Sequence, residues 1–256
     1  SRTIKVVGAM TYHGRTITET RIIGMRKLPT PFCYALFLNT GMTYSGKLTT
    51  GAAAANGDVY CNGALVLTGL GSVINGDLEC SAAVSLGTAT VTGNQNANIT
   101  PLAFPTVVNT NYSTVANLTV AGGTIGTRTF PTTASQYYLI YSSANTNING
   151  TFTGKGTIFV NGNVTINGAV LYGNATSRVA IIAKGSITFT TSAACNGLYY
   201  AGTSCSLPLG GITITKGSIV AGSLGTLLSP MTITNDTTAW TDITEGTKHR
   251  LPGLYP

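Results

Sequence analysis

The sequence predicts an all-β fold: a right-handed parallel β-helix (β-solenoid) with a short N-terminal β segment and an irregular C-terminal cap. Three observations predict it. Charge is scarce, a motif recurs at a fixed spacing near 19 residues, and glycine and asparagine punctuate strands too short to stand alone. Only 8% of the 256 residues are charged, while 32 are glycine and 43% are hydrophobic. An ordinary soluble domain carries about 25% charged residues. The mean hydropathy is +0.26, whereas a disordered chain combines low hydrophobicity with high charge. A helical bundle needs Ala, Leu, Glu and Lys at a period near 3.6, which is absent here. No run of about 18 apolar residues occurs that would cross a membrane as a helix.

The repeat decides between β architectures. Asn56-Gly57-Asp58-Val59-Tyr60-Cys61 recurs as Asn75-Gly76-Asp77-Leu78-Glu79-Cys80, a shift of 19 residues (56 to 75). Looser copies run through NGTFTGKGTIFVNGNVTINGAVLYG from Asn149, KGSITF from Lys184, GITITKGSIVAG from Gly211 and MTIT from Met231. Asn-Gly is also the favoured two-residue hairpin turn, but hairpins do not require equivalent residues to stay in register over 19 positions. A parallel β-helix does, because equivalent residues stack on successive coils about 4.8 Å apart. Inward Val, Ile, Leu and Phe alternate with outward Thr, Ser and Asn, and Gly or Asn takes the corners.

The elements follow in order. Residues 1–31 alternate like two or more strands, with His13-Gly14 as the expected turn. Residues 32–235 form the solenoid, about ten coils and some 45–50 Å long. It is interrupted by an excursion at about 99–141 that holds either a short helix near 111–118 or a long bulge. Residues 236–256 lose the repeat and carry the sole Trp, Trp240. Both terminal segments are read as caps or attachments, since the ends of a coil stack are bare sheet edges.

The net charge is +7, and Arg2, Lys5, Arg15, Arg21, Arg26 and Lys27 face only Glu19 in the first stretch. Such density suits a polyanion or an anionic surface; the plainer reading is a β edge blunted by cations.

The run PFCYALFLNTGMTYSG at 31–46, the repeated NGD, NGN and NGA units, FPTV at 104–107, AIIAKGSITF at 180–189 and GSIVAG at 217–222 resemble PilX-type accessory proteins of bacterial type IV pili. The resemblance covers most of the chain through low-complexity motifs. It implies a pilin-like helix ahead of a short β segment, then a β-helix incorporated in a pilus. That helix is expected upstream of Ser1; the other reading is a secreted solenoid of different use. End-to-end polymerising bactofilin-type β-helices are a weaker likeness.

Five cysteines are present. Cys195 and Cys205 flank NGLYYAGTS, a length that a disulfide closes well. Cys61 and Cys80 hold equivalent repeat positions, where a bridge and two stacked thiols are both open. Cys33 is left over as a small buried residue. The expected disulfides point to an oxidising, exported setting.

Polysaccharide-active β-helices need carboxylates converging on one face. Asp58 and Asp77 are the acids the repeat stacks, with Glu79 close by, yet each follows Asn-Gly, where a short acceptor satisfies turn amides. His13 and His249 sit in opposite terminal segments, and no metal or nucleotide motif occurs. No catalytic residue, metal or cofactor is therefore expected. Tyr137, Tyr138, Tyr141, Tyr172, Tyr199 and Tyr200 are candidates for an outer contact surface, or else pack inward or beneath the excursion. The expectation is a non-enzymatic, exported surface protein, a minor-pilin-like module for display, adhesion or a filament tip. Its partners would be other pilin or filament subunits, with DNA, a glycan or a host surface as further candidates. The alternatives are a DNA receptor for uptake, a self-polymerising solenoid subunit and, least favoured, a polysaccharide-active enzyme.

Overall fold

Strands of two or three residues dominate because each coil turns a corner every five to eight residues, and the alternation of Leu65–Leu67, Val164–Ile166, Ile187–Phe189 and Met231–Ile233 buries the outer two side chains while the middle one faces outward. The computed structural model describes residues 2–12, 15–25, 31–52, 57–132, 138–168, 178–192, 195–225 and 228–235. These belong to two compact units, Ser1–Thr30 and Pro31–Pro256. In the first, Arg2–Tyr12 and Arg15–Met25 pair antiparallel from Arg2↔Met25 to Tyr12↔Arg15. The link, His13-Gly14, lies outside the described residues.

The second unit is a parallel β-helix with three strands per coil. Its first face is a sheet whose longest path stacks ten parallel strands, in the spatial order Gln95–Asn96, Leu78–Cys80, Val59–Cys61, Leu36–Leu38, Gly217–Leu224, Gly197–Ser206, Arg178–Ala183, Lys155–Val160, Tyr138–Ser142 and Leu118–Val120. The second face includes Met42–Tyr44 and Val164–Ile166, and the third Leu48–Thr50 and Met231–Ile233. Register partners 36→59→78→95 and 118→140→158→181→199→219 give 17 to 23 residues per coil. The 19-residue step is the one from Val59 to Leu78, which also sets Cys61 against Cys80.

The order of coils departs from the order of the chain. The solenoid begins in the middle, at Leu36, and winds outward to Asn96. It then crosses to the opposite end and winds from Leu118 back to the starting point, so that Ile219 pairs with Leu36 and Met231 with Leu48. All pairs across this seam are parallel, so the winding sense is preserved through the join. Nine steps of about 4.8 Å make the first face about 43 Å long. The crossing strap, residues 97–117 with one short helix at Asn109–Ser113, is 21 residues, and an extended chain of that length reaches about 70 Å.

Two sequence expectations are corrected here. The excursion is shorter than 99–141, because Leu118–Val120, Gly123–Ile125 and Arg128–Thr129 already form a coil. The solenoid also meets the flanking segments at mid-stack rather than at its ends: Asn235 donates from Nδ2 to the carbonyl of Cys33 at 2.6 Å. Residues 236–256 lie outside the described residues.

The strap explains the two cores. Inside the coils, Leu36, Leu38, Cys61, Ile158, Ile181, Tyr199, Ile219 and their neighbours form one buried cluster. On the outer side of the first face, Phe37, Tyr60, Phe159, Ile182, Tyr200 and Val220 form a second, closed over by Leu102, Phe104, Val107, Tyr112 and Val115 of the strap. A sheet buried on both sides reads as continuous apolar sequence rather than alternation, and TIFV, VAIIA, LYYA and SIVA are such runs.

Candidate functional site

The strap and the column beneath it are the most chemically organised region. The Tyr60 hydroxyl donates to Asn62 Oδ1 at 2.5 Å and accepts the Leu102 N–H at 2.7 Å, while Asn62 Nδ2 donates to the Leu102 carbonyl at 2.6 Å. Further along, Phe104 lies between Phe37 and Tyr200, with centroids 6.2 and 5.5 Å away. The Tyr200 hydroxyl donates to the Pro105 carbonyl at 2.5 Å. Tyr112 stacks on Phe159 at 3.9 Å, which also stacks on Tyr141 at 5.7 Å. The strap closes at Asn117, whose N–H and Oδ1 bond the carbonyl and N–H of Leu139, both at 2.9 Å. Burial pushes the Tyr112 and Tyr200 hydroxyls well above the ordinary tyrosine range, so both stay protonated.

This arrangement decides between the two readings of the tyrosines. Tyr141, Tyr199 and Tyr200 are buried, Tyr199 inside the coils and the other two on the outer column, and Tyr138 is half-buried. An apolar column needs a cover, and the strap supplies it from the same chain. Tyr137 and Tyr172 lie outside the described residues.

The acids have a positional role. Asp58 Oδ1 accepts the Asp77 N–H at 2.8 Å, and Asp77 Oδ1 accepts the Asn94 N–H at 2.7 Å, one coil to the next. Asparagines make the same bond at other corners: Asn145 Oδ1 to Asn163 N–H at 2.8 Å, Asn163 Oδ1 to Ser186 N–H at 2.9 Å, Asn196 Oδ1 to Thr215 N–H at 2.9 Å. The shared element is a short side-chain oxygen, not an acid. Glu79 Oε2 accepts the Tyr34 hydroxyl at 2.6 Å. Burial raises the Asp58 carboxyl, partly opposed by the Asp77 amide, and burial ahead of Glu79 raises Tyr34 strongly. Among the described residues no group of three His, Cys, Asp or Glu side chains is placed to hold a metal ion.

The cysteines form no disulfide. Cys195 and Cys205 are buried but not joined, because the chain between them is the extended strand Gly197–Ser206 rather than a loop. At about 3.3 Å per residue, strand geometry carries its ends apart. Cys61 and Cys80 are stacked thiols on adjacent coils. The Cys61 thiol, held by its bond to Cys80 and then by burial, stays protonated well above the usual range. Burial alone pushes Cys205 up to about 12.

Of the basic residues, Arg2, Lys5, Arg15 and Arg21 lie in the two antiparallel strands of the first unit. Arg26 and Lys27 lie outside the described residues, as do His13 and His249. At the Leu118 end of the solenoid a cleft of about 380 Å³ opens between Leu118, Phe130, Tyr138 and Ile140. No helix among the described residues is long and apolar enough to cross a membrane. No protein-family model, curated protein or solved structure matches the chain.

Proposed function

We propose that the protein is a non-catalytic surface module, a β-helical rod displayed by a pilus-like filament in the manner of a minor pilin. One observation carries the reading: the solenoid is entered and left at mid-stack, at Cys33 and Asn235. Both ends of the coil stack therefore lie away from the points where the flanking segments join it. A stiff, low-charge stack joined to the rest of the chain near its waist presents long faces to the surroundings. The engagement of Asp58 and Asp77 with backbone amides supports a structural use of the acids over a catalytic one. The test is to tag the protein in its own bacterium and shear the cell surface. Immunogold label on the sheared filaments is expected; label confined to cells or medium, with bare filaments, overturns the reading.

A second reading, self-assembly, rests on the sheet edges. Among the described residues, each end of the stack leaves one edge strand per face: Val84–Ser85, Thr90–Val91 and Gln95–Asn96 at one end, Leu118–Val120, Gly123–Ile125 and Arg128–Thr129 at the other. The winding sense is common to both, so a second copy continuing the stack would be a head-to-tail contact of the kind that gives open filaments. Electron microscopy of the purified protein separates the readings: filaments without any partner favour self-assembly, and persistent single particles favour display.

A further inference from the structure

Four large apolar side chains stand most exposed among the described residues: Leu70 at 79%, Leu209 at 88%, Leu228 at 75% and Val108 at 46%. Val108 precedes the helix of the strap. The three leucines occupy the same corner of the solenoid, between its second and third faces, on coils close together at the seam. Leu70 sits between Leu65–Leu67 and Val73–Ile74, Leu209 between Gly197–Ser206 and Ile212–Ile214, and Leu228 between Gly217–Leu224 and Met231–Ile233. Close approaches fix their order along the corner. Gly69 abuts the Gly46 backbone, Gly46 abuts Leu228 and Ser229, and Gly211 abuts Pro230. The sequence of tips is therefore Leu70, Lys47, Leu228, Leu209, four consecutive coils spanning about 14 Å.

Local structure holds these tips outward. The Gly211 N–H donates to the Pro208 carbonyl at 2.9 Å, closing a four-residue turn with Leu209 at its apex. The Ser72 hydroxyl donates to the Gly69 carbonyl at 2.8 Å, and Gly71 at φ +69° supplies the left-handed residue that lets Leu70 project. Single exposed apolar residues are ordinary on protein surfaces, but three on one ridge are not scattered.

Charge is partitioned around the ridge. The acids in residues 31–235 are Asp58, Asp77 and Glu79, and they lie at the corner between the third and first faces and on the first face. Lys47 stands between Leu70 and Leu228, and the chain as a whole is +7. Three leucine tips in a line offer far less than the roughly 1,000 Å² that a specific protein interface buries, which argues against a second copy as occupant. Isolated apolar tips flanked by a lysine suit an interface where each tip inserts separately beneath anionic headgroups.

We propose that this corner docks the solenoid side-on to an anionic lipid surface, Leu70, Leu228 and Leu209 entering the headgroup boundary with Lys47 among the phosphates. The full chain is mixed with sedimenting vesicles of phosphatidylcholine alone or with one-third phosphatidylglycerol. Co-sedimentation with the anionic vesicles is expected, reduced about fivefold by Lys47→Gln and by about tenfold per leucine in Leu70→Ser, Leu209→Ser and Leu228→Ser. A Leu209→Trp variant is expected to shift its emission to the blue on vesicle addition. The proposal is overturned if the parent chain stays in the supernatant, or if the triple serine variant sediments equally well, which would assign binding to the basic first unit. It is overturned equally if Leu209→Trp emission is unmoved, or if sedimentation velocity shows a dimer that the triple variant abolishes, which would assign the ridge to a second copy.

Discussion

Asn235 and Cys33 are 202 positions apart in the chain and joined by a hydrogen bond of 2.6 Å from the asparagine amide to the cysteine carbonyl. The bond sits where the last coil of the solenoid closes on the first, beside the Leu36↔Ile219 and Met231↔Leu48 pairs. Such a seam is made only after both halves have wound, so its contacts are the last to gain and the first to lose. Asn235→Ala is expected to lower stability by about 1–2 kcal/mol. Hydrogen exchange should show faster opening at Leu36–Leu38 and Met231–Ile233 than at Val164–Ile166, and uniform protection across the three would refute the weak seam.

The strap is held by polar bonds over an apolar floor. Removing the Tyr60 hydroxyl leaves the Leu102 N–H with Asn62 Oδ1 at 3.2 Å, and removing that of Tyr200 strips the Pro105 carbonyl of its hydroxyl donor. Tyr60→Phe and Tyr200→Phe should each cost about 1 kcal/mol. Limited proteolysis should accelerate within 97–117 while the coils stay intact. Cleavage first inside the coils would show that the strap is not the separable layer.

Asp58 gives a pH dependence with a definite sign. Its carboxyl is raised in the folded protein, by burial first, so the folded state holds its proton at pH values where the unfolded chain has lost it. Stability then falls as pH rises from the unfolded value near 3.8 through the folded one, and the loss persists at neutral pH. Asp58→Asn keeps an oxygen for the Asp77 amide, as Asn145 does for Asn163, and removes the ionisation. The variant should melt at or above the parent temperature at pH 7 and show a smaller decline with pH across the acid range. A lower melting temperature at pH 7 would mean the charge itself is needed.

Corner chemistry was legible in the sequence because it is local. The register of NGDVYC on NGDLEC follows from side-chain oxygens capping the next coil, and the Val59↔Leu78 and Cys61↔Cys80 pairs stand where the repeat puts them. The order of coils was not legible, because parallel pairing of Leu36 with Ile219 uses the same residue types as pairing with Val59. A signal did exist: TIFV, VAIIA and LYYA carry apolar residues at consecutive positions, which only a sheet covered on both sides requires. The disulfide expectation failed for the same reason, since LYYA between Cys195 and Cys205 is first-face strand and not a loop, and that strand also buries Tyr199 and Tyr200, the inward of the two readings open for the tyrosines.

The thiols give a count that checks the cysteine chemistry. Cys61, Cys80, Cys195 and Cys205 are fully buried and Cys33 is half-buried. A thiol reagent should modify at most Cys33 in the native protein and all five cysteines in denaturant without reductant. A shortfall of two would establish a disulfide, and rapid native modification of two or more would show that the coils open readily.

Because the seam preserves winding sense, the solenoid can be rewired without changing a strand pair. A chain running 118–235, then a short glycine linker, then 31–98 would make every coil follow its neighbour in sequence. The Leu36↔Ile219 pair, now 183 positions apart (219 − 36), would close over a separation near 20. Closure entropy grows as about (3/2)RT ln n, so the seam alone would gain about 2 kcal/mol. Against that, the strap is lost, and with it the cover that Phe104 and Tyr112 give to Phe37, Tyr200 and Phe159. Losing these stacked rings costs about 3–5 kcal/mol for each large aromatic removed from a packed site, so the cover outweighs the closure. The rearranged chain should retain its β-sheet circular dichroism, fold faster and unfold much faster than the parent in stopped-flow denaturant jumps, with lower net stability. Equal or greater stability would mean that the strap is only a connector. A chain that fails to fold would mean that the first face cannot assemble without it.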